Sequence, residues 1–373
     1  GSEMCIRDSF MIGLPPFLSF SENERILQLK ILMIILRTVK NISSLNIAAS
    51  VLLFLAAILA AVVANSSLSP VYQDFLLQEL HLRIGNFNLF SHGGHPLKMI
   101  EFINDCLMTV FFLAVGLEIK RELLVGELSS VRKAALPFIA ACGGMVVPVV
   151  IYALSVASGT PETRGMAIPM ATDIAFSLGV LSLLGKRVPL SLKIFLTAFA
   201  VVDDIGGILV IALFYSADVA YGYLIAAAVL YVFLYYMGKF GVTQKIFFLF
   251  FGVIIWYLFL QSGIHSTISG VILAFVIPAR PRLDAGKYIE RIRDIIGEFP
   301  VSKSDNIVLT NAQIATLKQV ERASDYVISP LQSLEDNLHG AVSFVILPLF
   351  AFANAGVVFS GSGSIVGDVS IAV

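Results

Sequence analysis

The fold is decided by residues 190–215, which read LSLKIFLTAFAVVDDIGGILVIALFY. Apart from Lys193 near its start, this run is interrupted by only two charged residues, Asp203 and Asp204, which lie side by side in its middle. A bilayer is crossed by about twenty consecutive apolar residues in a helix, because hydrocarbon supplies no water to satisfy loose backbone groups. The stretch therefore predicts a membrane-spanning helix that carries two adjacent carboxylates.

The whole chain has the composition of a membrane protein. Of its 373 residues, 57% are hydrophobic and 14% are charged, whereas soluble domains are about 25% charged. The net charge of −1 argues against a nucleic-acid partner, and three scattered cysteines indicate neither a disulfide framework nor a metal site. Apolar runs predict an all-α polytopic membrane protein with spans at residues 47–64, 97–117, 134–157, 166–184, 190–215, 219–237, 244–261, 264–278 and 340–358.

Three segments differ in composition from these spans. Residues 1–46 are expected to form a cytoplasmic amino-terminal segment, whose first dozen residues fit no secretory signal and are interpreted as an artefact. Within the transmembrane domain, residues 47–358, the long polar connection 279–337 is expected to hold short amphipathic helices. Residues 359–373 are interpreted as a truncated tail.

The distribution of basic residues predicts the orientation of the chain. Lys and Arg concentrate on the cytoplasmic side of bacterial membranes. Of the 25 basic residues, 22 lie before the first span, in connections on the same side or at the span ends that face that side, and only Arg83, Lys98 and Arg164 lie on the other side. We therefore predict a cytoplasmic amino terminus.

Residues 80–90 alternate apolar and polar side chains around Gly85-Asn86. A short Gly- and Asn-containing turn between alternating runs is typical of a β-hairpin. The pattern predicts a hairpin on the outer side of the membrane.

Four carboxylates lie inside predicted spans, at Asp105, Asp173, Asp203 and Asp204. A charged Asp at mid-helix costs roughly 2.5–3.5 kcal/mol on insertion scales, which packing alone rarely justifies. Helix rise places the first two roughly 10–12 Å, and the adjacent pair roughly 17–18 Å, from the outer ends of their helices. Carboxylates near one depth predict a cation site, since hard cations take oxygen ligands. The alternative is that some are neutral or nearer an interface, and for Asp105 both interpretations stay open.

The fourth predicted span contains a second unusual feature, the sequence Ile168-Pro169-Met170-Ala171-Thr172-Asp173. Pro169 removes one backbone hydrogen bond and blocks a carbonyl, and Thr172 competes for backbone partners. Helix interruption beside a buried acid is how many transporters expose carbonyls and helix ends to an ion. A simple proline kink is the alternative, and it would be preferred if Asp173 were absent.

Several motifs, taken in chain order, resemble those of the NhaA-type sodium/proton antiporters. The resemblance covers about residues 45–360. Inverted repeats and a discontinuous fourth helix are described features of that family, so this architecture is an implication of the resemblance. The matching motifs are Ile103-Asn104-Asp105, Gly116 to Glu122, Ala171 to Phe176, Ala200 to Gly206 and Leu349 to Gly356.

The resemblance implies roles for individual residues. Asp203 and Asp204 would carry the ions and bind the transported Na+, Asp173 and Thr172 would assist the site, and Asp105 would lie on the ion path. The resemblance also implies a cytoplasmic entrance that takes part in the pH response and is lined by Glu118, Arg121, Glu122, Glu335 and His339. Judged from the sequence alone, these five are ordinary solvated interface residues.

The resemblance also implies an activity. The protein would be a secondary active transporter, with no enzymatic activity and no resident cofactor, which exchanges Na+ or Li+ for H+ across the bacterial inner membrane in pH and sodium homeostasis. Because Asp203 and Asp204 are adjacent, their titration is expected to be coupled. The family's use of a similar hairpin implies a homodimer formed through residues 80–90.

Three other interpretations compete with exchange. An intramembrane aspartyl protease needs two acids on facing helices, commonly with Gly-x-Gly-Asp, a motif that none of the predicted spans contains. A cation channel needs no alternating half-sites, and flux that is insensitive to a proton gradient would favour it. The third interpretation is an inactive fragment, because the family has twelve helices and the sequence ends 15 residues after the ninth predicted span. The missing part would hold the second repeat.

Overall fold

A computed structural model describes residues 48–81, 83–84, 87–92, 95–155, 188–214, 219–280, 285–297, 299 and 310–358. The chain divides into two units, Gly1–Ala48 and Ala49–Val373, and the second holds every described residue except Ala48. The predicted span 166–184, which contains Thr172 and Asp173, lies outside the described residues. The segment 1–46 and the tail 359–373 lie outside them as well.

The described part of the chain is almost entirely helical. Helices α3 and α11 each contain one π-helical turn, Phe102–Leu107 and Val342–Ile346 respectively. The helices are α1 (Ala48–Ala64), α2 (Ser69–Leu77), α3 (Met99–Val125), α4 (Val131–Ser155), α5 (Leu190–Phe214), α6 (Tyr221–Lys239), α7 (Lys245–Ser262), α8 (Thr267–Val276), α9 (Ala285–Gly297), α10 (Asn311–Val327) and α11 (Pro330–Asn354).

Two short β-hairpins connect α2 to α3. In the first, β1 (Arg83–Ile84) pairs antiparallel with β2 (Phe87–Asn88), which confirms the hairpin predicted around Gly85-Asn86. In the second, β3 (Ser91–His92) pairs antiparallel with β4 (His95–Pro96). The alternation pattern does not predict this second hairpin, although Gly93-Gly94 between its strands is a signal typical of a two-residue turn.

The helices have the length and surface of membrane spans. Within the described residues, five helices are long and apolar enough to cross a bilayer, namely α3, α4, α6, α7 and α11. The pair α1 and α2, bent by 113°, makes a sixth span if the two count as one. Large apolar side chains face outward, as Leu154 does at 82% exposure, while Ser262 and Ser266 are buried. Such a surface suits a hydrocarbon solvent, and the all-α polytopic prediction is confirmed.

Three predicted boundaries differ from the structure. Helix α3 ends at Val125 instead of residue 117, and α8 has only ten residues. Ten residues span about 15 Å, so the helical part of this segment alone is shorter than a hydrocarbon core of about 30 Å. Helix α11 begins at Pro330 instead of residue 340, because the Ser329 side chain accepts a hydrogen bond from the Gln332 N–H and caps the helix.

Small residues let α8 lie directly against α3. A Cβ on Gly270 would collide with the backbone carbonyl of Thr109 and come within 3.0 Å of the Leu113 nitrogen. A Cβ on Gly116 would meet the Ala274 Cβ at 2.8 Å. Close backbone approach through small residues is a common way to pack helices in membranes. It fixes the amino-terminal end of α8 beside the π-helical turn of α3.

Helix α5 lies in a corner between α4 and α3. On one face, Gly206 leaves room for the Met145 side chain, and Gly144 of α4 faces the Phe199 ring. On another face, Val201 is buried with Val115 of α3. Both contacts flank the two central carboxylates, so the depth and rotation of α5 are set at the level where they lie.

The largest buried apolar cluster joins α3, α6, α7, α8 and α11. Its members include residues at most 1% exposed, such as Leu117, Leu234, Phe248, Ile255 and Ile277. The Tyr231 hydroxyl donates to the Ser269 carbonyl at 2.8 Å, which links α6 to α8. This cluster holds α3 against α6, α7, α8 and α11.

The polar connection between α8 and α11 contains two helices, α9 and α10, where the sequence predicts short amphipathic helices. Helices α9 and α10 pack on each other, and the Tyr288 and Ser324 hydroxyls lie 2.9 Å apart. At the base of the connection, the Leu331 N–H donates to the Pro278 carbonyl at 3.3 Å. The connection therefore leaves and re-enters the bundle at the same place.

Candidate ion-binding site

The adjacent carboxylates Asp203 and Asp204 lie near the middle of the 25-residue helix α5. The Asp203 side chain is buried, with 5% of its surface exposed, and Asp204 is partly exposed. The three residues that precede the pair, Ala200, Val201 and Val202, are apolar and buried. Carboxylates inside a membrane-spanning helix are usually functional, so this pair is the candidate ion-binding site.

The third carboxylate, Asp105, lies in the π-helical turn of α3. Its Oδ1 accepts a hydrogen bond from the Ser266 hydroxyl at 3.2 Å. Its backbone carbonyl accepts bonds from Ser266 at 3.2 Å, Trp256 Nε1 at 3.2 Å and the Thr109 hydroxyl at 2.5 Å. Ser266 reaches this position because Gly263, with φ of 82°, ends α7 in a left-handed conformation that suits glycine. π-Helical turns are frequent at functional sites.

Asp105 lines a cavity of about 650 Å³ between the second hairpin and the start of α8. We call this cavity the vestibule. Its wall is rich in titratable groups, of which the sequence indicates only Asp105 as a site residue. The polar and charged members of the wall are Glu79, His92, His95, Lys98, Glu101, His265 and Ser266. A cavity with such a lining can hold water and a hydrated cation.

The vestibule carboxylate and the acid pair lie on different helices, Asp105 on α3 and the pair on α5. Val201, two residues before Asp203, packs with Val115 and Ile119 of α3. Asp105 precedes Val115 by ten residues, which corresponds to roughly 15 Å along a helix. This separation along α3 favours two positions on one path, and the shared depth of the carboxylates stays a prediction.

Four of the five predicted entrance residues meet at the carboxyl end of α3. Arg121 Nε lies 2.9 Å from Glu335 Oε1 of α11, and Arg121 Nη2 lies 3.4 Å from Glu122 Oε1. Glu118 is close enough to interact electrostatically with all three. Three carboxylates thus surround one guanidinium and leave a local excess of negative charge. His339 is exposed one turn beyond Glu335 on α11.

Lys120 is a residue whose role the sequence does not reveal. Its ammonium donates to the carbonyls of Ala274 at 3.3 Å and Phe275 at 2.7 Å, and to that of Ile277. These carbonyls end the short helix α8, where the helix leaves them without internal partners. A cation at a helix carboxyl terminus is favourable, so Lys120 stabilises the end of α8 near the Arg121 cluster.

The remaining site predictions concern Thr172 and Asp173, which lie outside the described residues. Among the described ones, the structure gathers two polar regions on α3, the vestibule around Asp105 and the cluster around Arg121. The acid pair lies along α5, which packs against α3 between them. The fold and these sites define a multi-pass membrane protein with intramembrane carboxylates, the class to which ion transporters belong.

Comparison with known proteins identifies the family. The family profile described as Na+/H+ antiporter 1 matches residues 40–373. The Na+/H+ antiporter NhaA of Bacteroides thetaiotaomicron is 76% identical over 341 residues, which cover 91% of this chain and 78% of that protein. The NhaA proteins of Bacteroides fragilis and Porphyromonas gingivalis are 74% and 47% identical, over 91% and 87% of this chain and 78% and 73% of their own lengths. This chain belongs to the Na+/H+ antiporter 1 family, and the resemblance drawn from its motifs is confirmed.

Proposed function

We propose that this protein exchanges Na+ or Li+ for H+ across the bacterial inner membrane by alternating access. The observation that carries the proposal is the adjacent pair of buried Asp203 and partly exposed Asp204, on a helix that is otherwise apolar around them. Membership of a family whose curated members are Na+/H+ antiporters supports it. That family consists of transporters and not of enzymes.

Exchange follows from competition at the acid pair. With both carboxylates charged, the pair supplies the oxygen ligands that a hard cation prefers, and the cation offsets the cost of two like charges inside the membrane. Protonation removes the negative charge and so weakens the binding of the cation. Because Asp203 and Asp204 are adjacent, their protons are shared and their titration is coupled. Na+ and H+ therefore occupy the site in turn, which is the basis of exchange.

Other residues extend the path on either side of the pair. Asp105, at the wall of the vestibule, would receive or release the cation on the outer side. Thr172 and Asp173 would assist the central site from the fourth predicted span. On this proposal the cation occupies the vestibule and the acid pair in succession, and the two are separate sites on the transport path.

The cluster around Arg121 would form the cytoplasmic entrance. The excess negative charge of Glu118, Glu122 and Glu335 around Arg121 attracts cations. Protonation of these carboxylates changes the charge of the cluster, so the entrance would take part in the response to pH. His339, exposed on α11 near Glu335, would contribute a further titratable charge.

The proposed orientation places the amino terminus and the Arg121 cluster in the cytoplasm and the two hairpins outside. The support is the asymmetry of basic residues, 22 on one side and three on the other. Labelling of single cysteines placed at exposed positions of α9 and of the second hairpin, from each side of intact cells, tests the orientation.

Transport by purified protein in proteoliposomes tests the exchange activity. An inward Na+ gradient imposed on vesicles that contain a pH-sensitive dye is expected to drive protons out. The same gradient of choline chloride should move none, and Li+ should replace Na+. Sodium uptake that is indifferent to an opposing proton gradient would indicate a channel and contradict the proposal.

The first hairpin is proposed to support a homodimer on the outer face. Its strands β1 and β2 pair only with each other among the described residues, so their outer edges are open to strand pairing with a second copy. Deleting residues 82–89 is expected to shift the detergent-solubilised protein from dimer to monomer in light scattering. The strands of the second hairpin, β3 and β4, are retained in the sequence of this variant, so retained exchange serves as the control for folding. A dimer of unchanged mass would remove the hairpin from the interface.

A further inference from the structure

Two amides form a reciprocal pair between α3 and α11. Asn104 Nδ2 donates to Asn354 Oδ1 at 3.2 Å, and Asn354 Nδ2 donates to Asn104 Oδ1 at 2.8 Å. The two residues are 250 positions apart in the chain. Both belong to motifs that the acid-pair mechanism leaves unused, Ile103-Asn104-Asp105 and Leu349 to Gly356.

The amide pair adjoins the turn that carries Asp105. Asn104 directly precedes Asp105 in the π-helical segment Phe102–Leu107. One residue earlier, Ile103 is 4% exposed and lies in the same buried cluster as Ala353, the neighbour of Asn354. Consecutive residues of α3 and α11 are thus joined in two ways, through a shared apolar cluster and through the amides.

The α11 side of this contact is itself held in place. Asn354 Nδ2 also donates to the Phe350 carbonyl at 2.9 Å. The Tyr72 hydroxyl donates to the Phe352 carbonyl at 2.6 Å, and Asn65 Nδ2 donates to the Val357 carbonyl at 2.7 Å. The end of α11 is therefore bonded to α2 and to the residue after α1, so Asn354 presents its amide from a fixed support.

We propose that Asn354 is a positioning residue for Asp105 and acts through Asn104. Ser266 and Trp256 anchor the Asp105 turn from the α7–α8 side, and the amide pair anchors it from the α11 side. When both contacts are present, the Asp105 carboxylate is held at the vestibule wall. When the amide pair is lost, the π-helical turn that carries Asp105 is free to rotate away from the vestibule. This inference rests on the proposed function, because it assigns Asp105 to the collection of cations.

Kinetics of exchange test this role. Asn104→Ala and Asn354→Ala are each expected to raise the KM for Na+ roughly three- to tenfold, the loss associated with about one net hydrogen bond, with Vmax changed less than about twofold. The double variant should be no worse than the more affected single one, since both lose the same contact. Asn337→Ala, an exposed amide on the same helix, is the matched control and should leave KM unchanged.

A second measurement reports on the turn directly. Cys106 lies beside Asp105 and is partly buried against Trp256 and Leu97. In a background with Cys5 and Cys142 replaced by Ser, its alkylation by a small thiol reagent is expected to be faster in the Asn104 and Asn354 variants. The Asn337 control should label at the wild-type rate.

The outcomes separate this inference from the proposed function. Failure of the wild-type protein to exchange would overturn both. Exchange by the wild type, with an unchanged KM and an unchanged Cys106 labelling rate in both alanine variants, would overturn the positioning role alone. A lower yield of folded protein with an unchanged KM would assign the pair a structural role and would also overturn it.

Discussion

Asp204→Asn and Asp203→Asn are each expected to reduce Na+-driven proton movement to the background of protein-free liposomes. Asparagine matches aspartate in size, but it carries no charge and releases no proton. The substitution therefore removes one cation ligand and one proton carrier together. Folding should survive, because a neutral amide costs less to bury than a charged carboxylate. The measurement is dye-detected exchange in proteoliposomes that hold equal amounts of protein.

A surface variant supplies the control for this experiment. Asp294 lies exposed on α9, and Asp294→Asn makes the same chemical change far along the chain from the acid pair. It should exchange at the wild-type rate. Asp203→Glu and Asp204→Glu keep the charge but move it by one methylene, so partial activity with an altered preference between Na+ and Li+ is expected. Normal exchange by Asp204→Asn would remove the acid pair from the mechanism.

The existence of the spans follows from the sequence because hydrocarbon imposes a length and an apolar composition on each of them. Their ends follow less directly. Helix α11 extends through Glu335 and Asp336, which hydropathy assigns to a connection, because Leu331 and Leu334 are buried on its inner face. A capping serine followed by Pro330 is a local signal for a helix start. A hydropathy window does not use this signal, and it assigns the polar residues that follow to a connection. Local chemistry decides helix ends, and a hydropathy window averages it away.

The sequence likewise predicts some of the polar sites and not others. Asp203 and Asp204 stand out because a carboxylate inside a long apolar run is costly and, in membrane proteins, usually functional. The pairing of Arg121 with Glu335 spans 214 positions, and nothing local in either segment indicates the other. Lys120 likewise bonds carbonyls of a helix that begins well over one hundred residues later. Contacts of this kind depend on which helices become neighbours, and the pattern of a single helix does not contain that information.

The vestibule shows what a local pattern does and does not predict. His92-Gly93-Gly94-His95 indicates a tight turn. It does not indicate that the hairpin folds over the start of α8 and lines a cavity with Asp105. That arrangement requires the close approach of α8 to α3. Small residues permit this approach, but their presence in the sequence does not predict it. The position of Asp105 therefore depends on a helix contact that can be tested separately from transport.

Gly270→Ala is expected to lower the stability of the protein and to impair exchange. The added methyl group would collide with the Thr109 carbonyl and lie 3.0 Å from the Leu113 nitrogen. Both atoms belong to the backbone of α3 and cannot turn aside as a side chain does, so α8 must shift. Overpacking of this kind costs about 1–3 kcal/mol. The shift also draws Ser266 away from Asp105, whose Oδ1 it contacts at 3.2 Å.

Gly222→Ala is the matched comparison, and its expected effect on stability is opposite to that of Gly270→Ala. Gly222 lies in α6 with no atom within 4 Å of an added Cβ, and alanine favours a helix by up to about 1 kcal/mol over glycine. Thermal melting followed by size-exclusion chromatography in detergent should place Gly270→Ala several degrees below the wild type and Gly222→Ala at or above it. Equal melting of the two variants would mean that α8 yields to the methyl group without cost. In that case the contact between α8 and α3 would not be what fixes Asp105 at the vestibule.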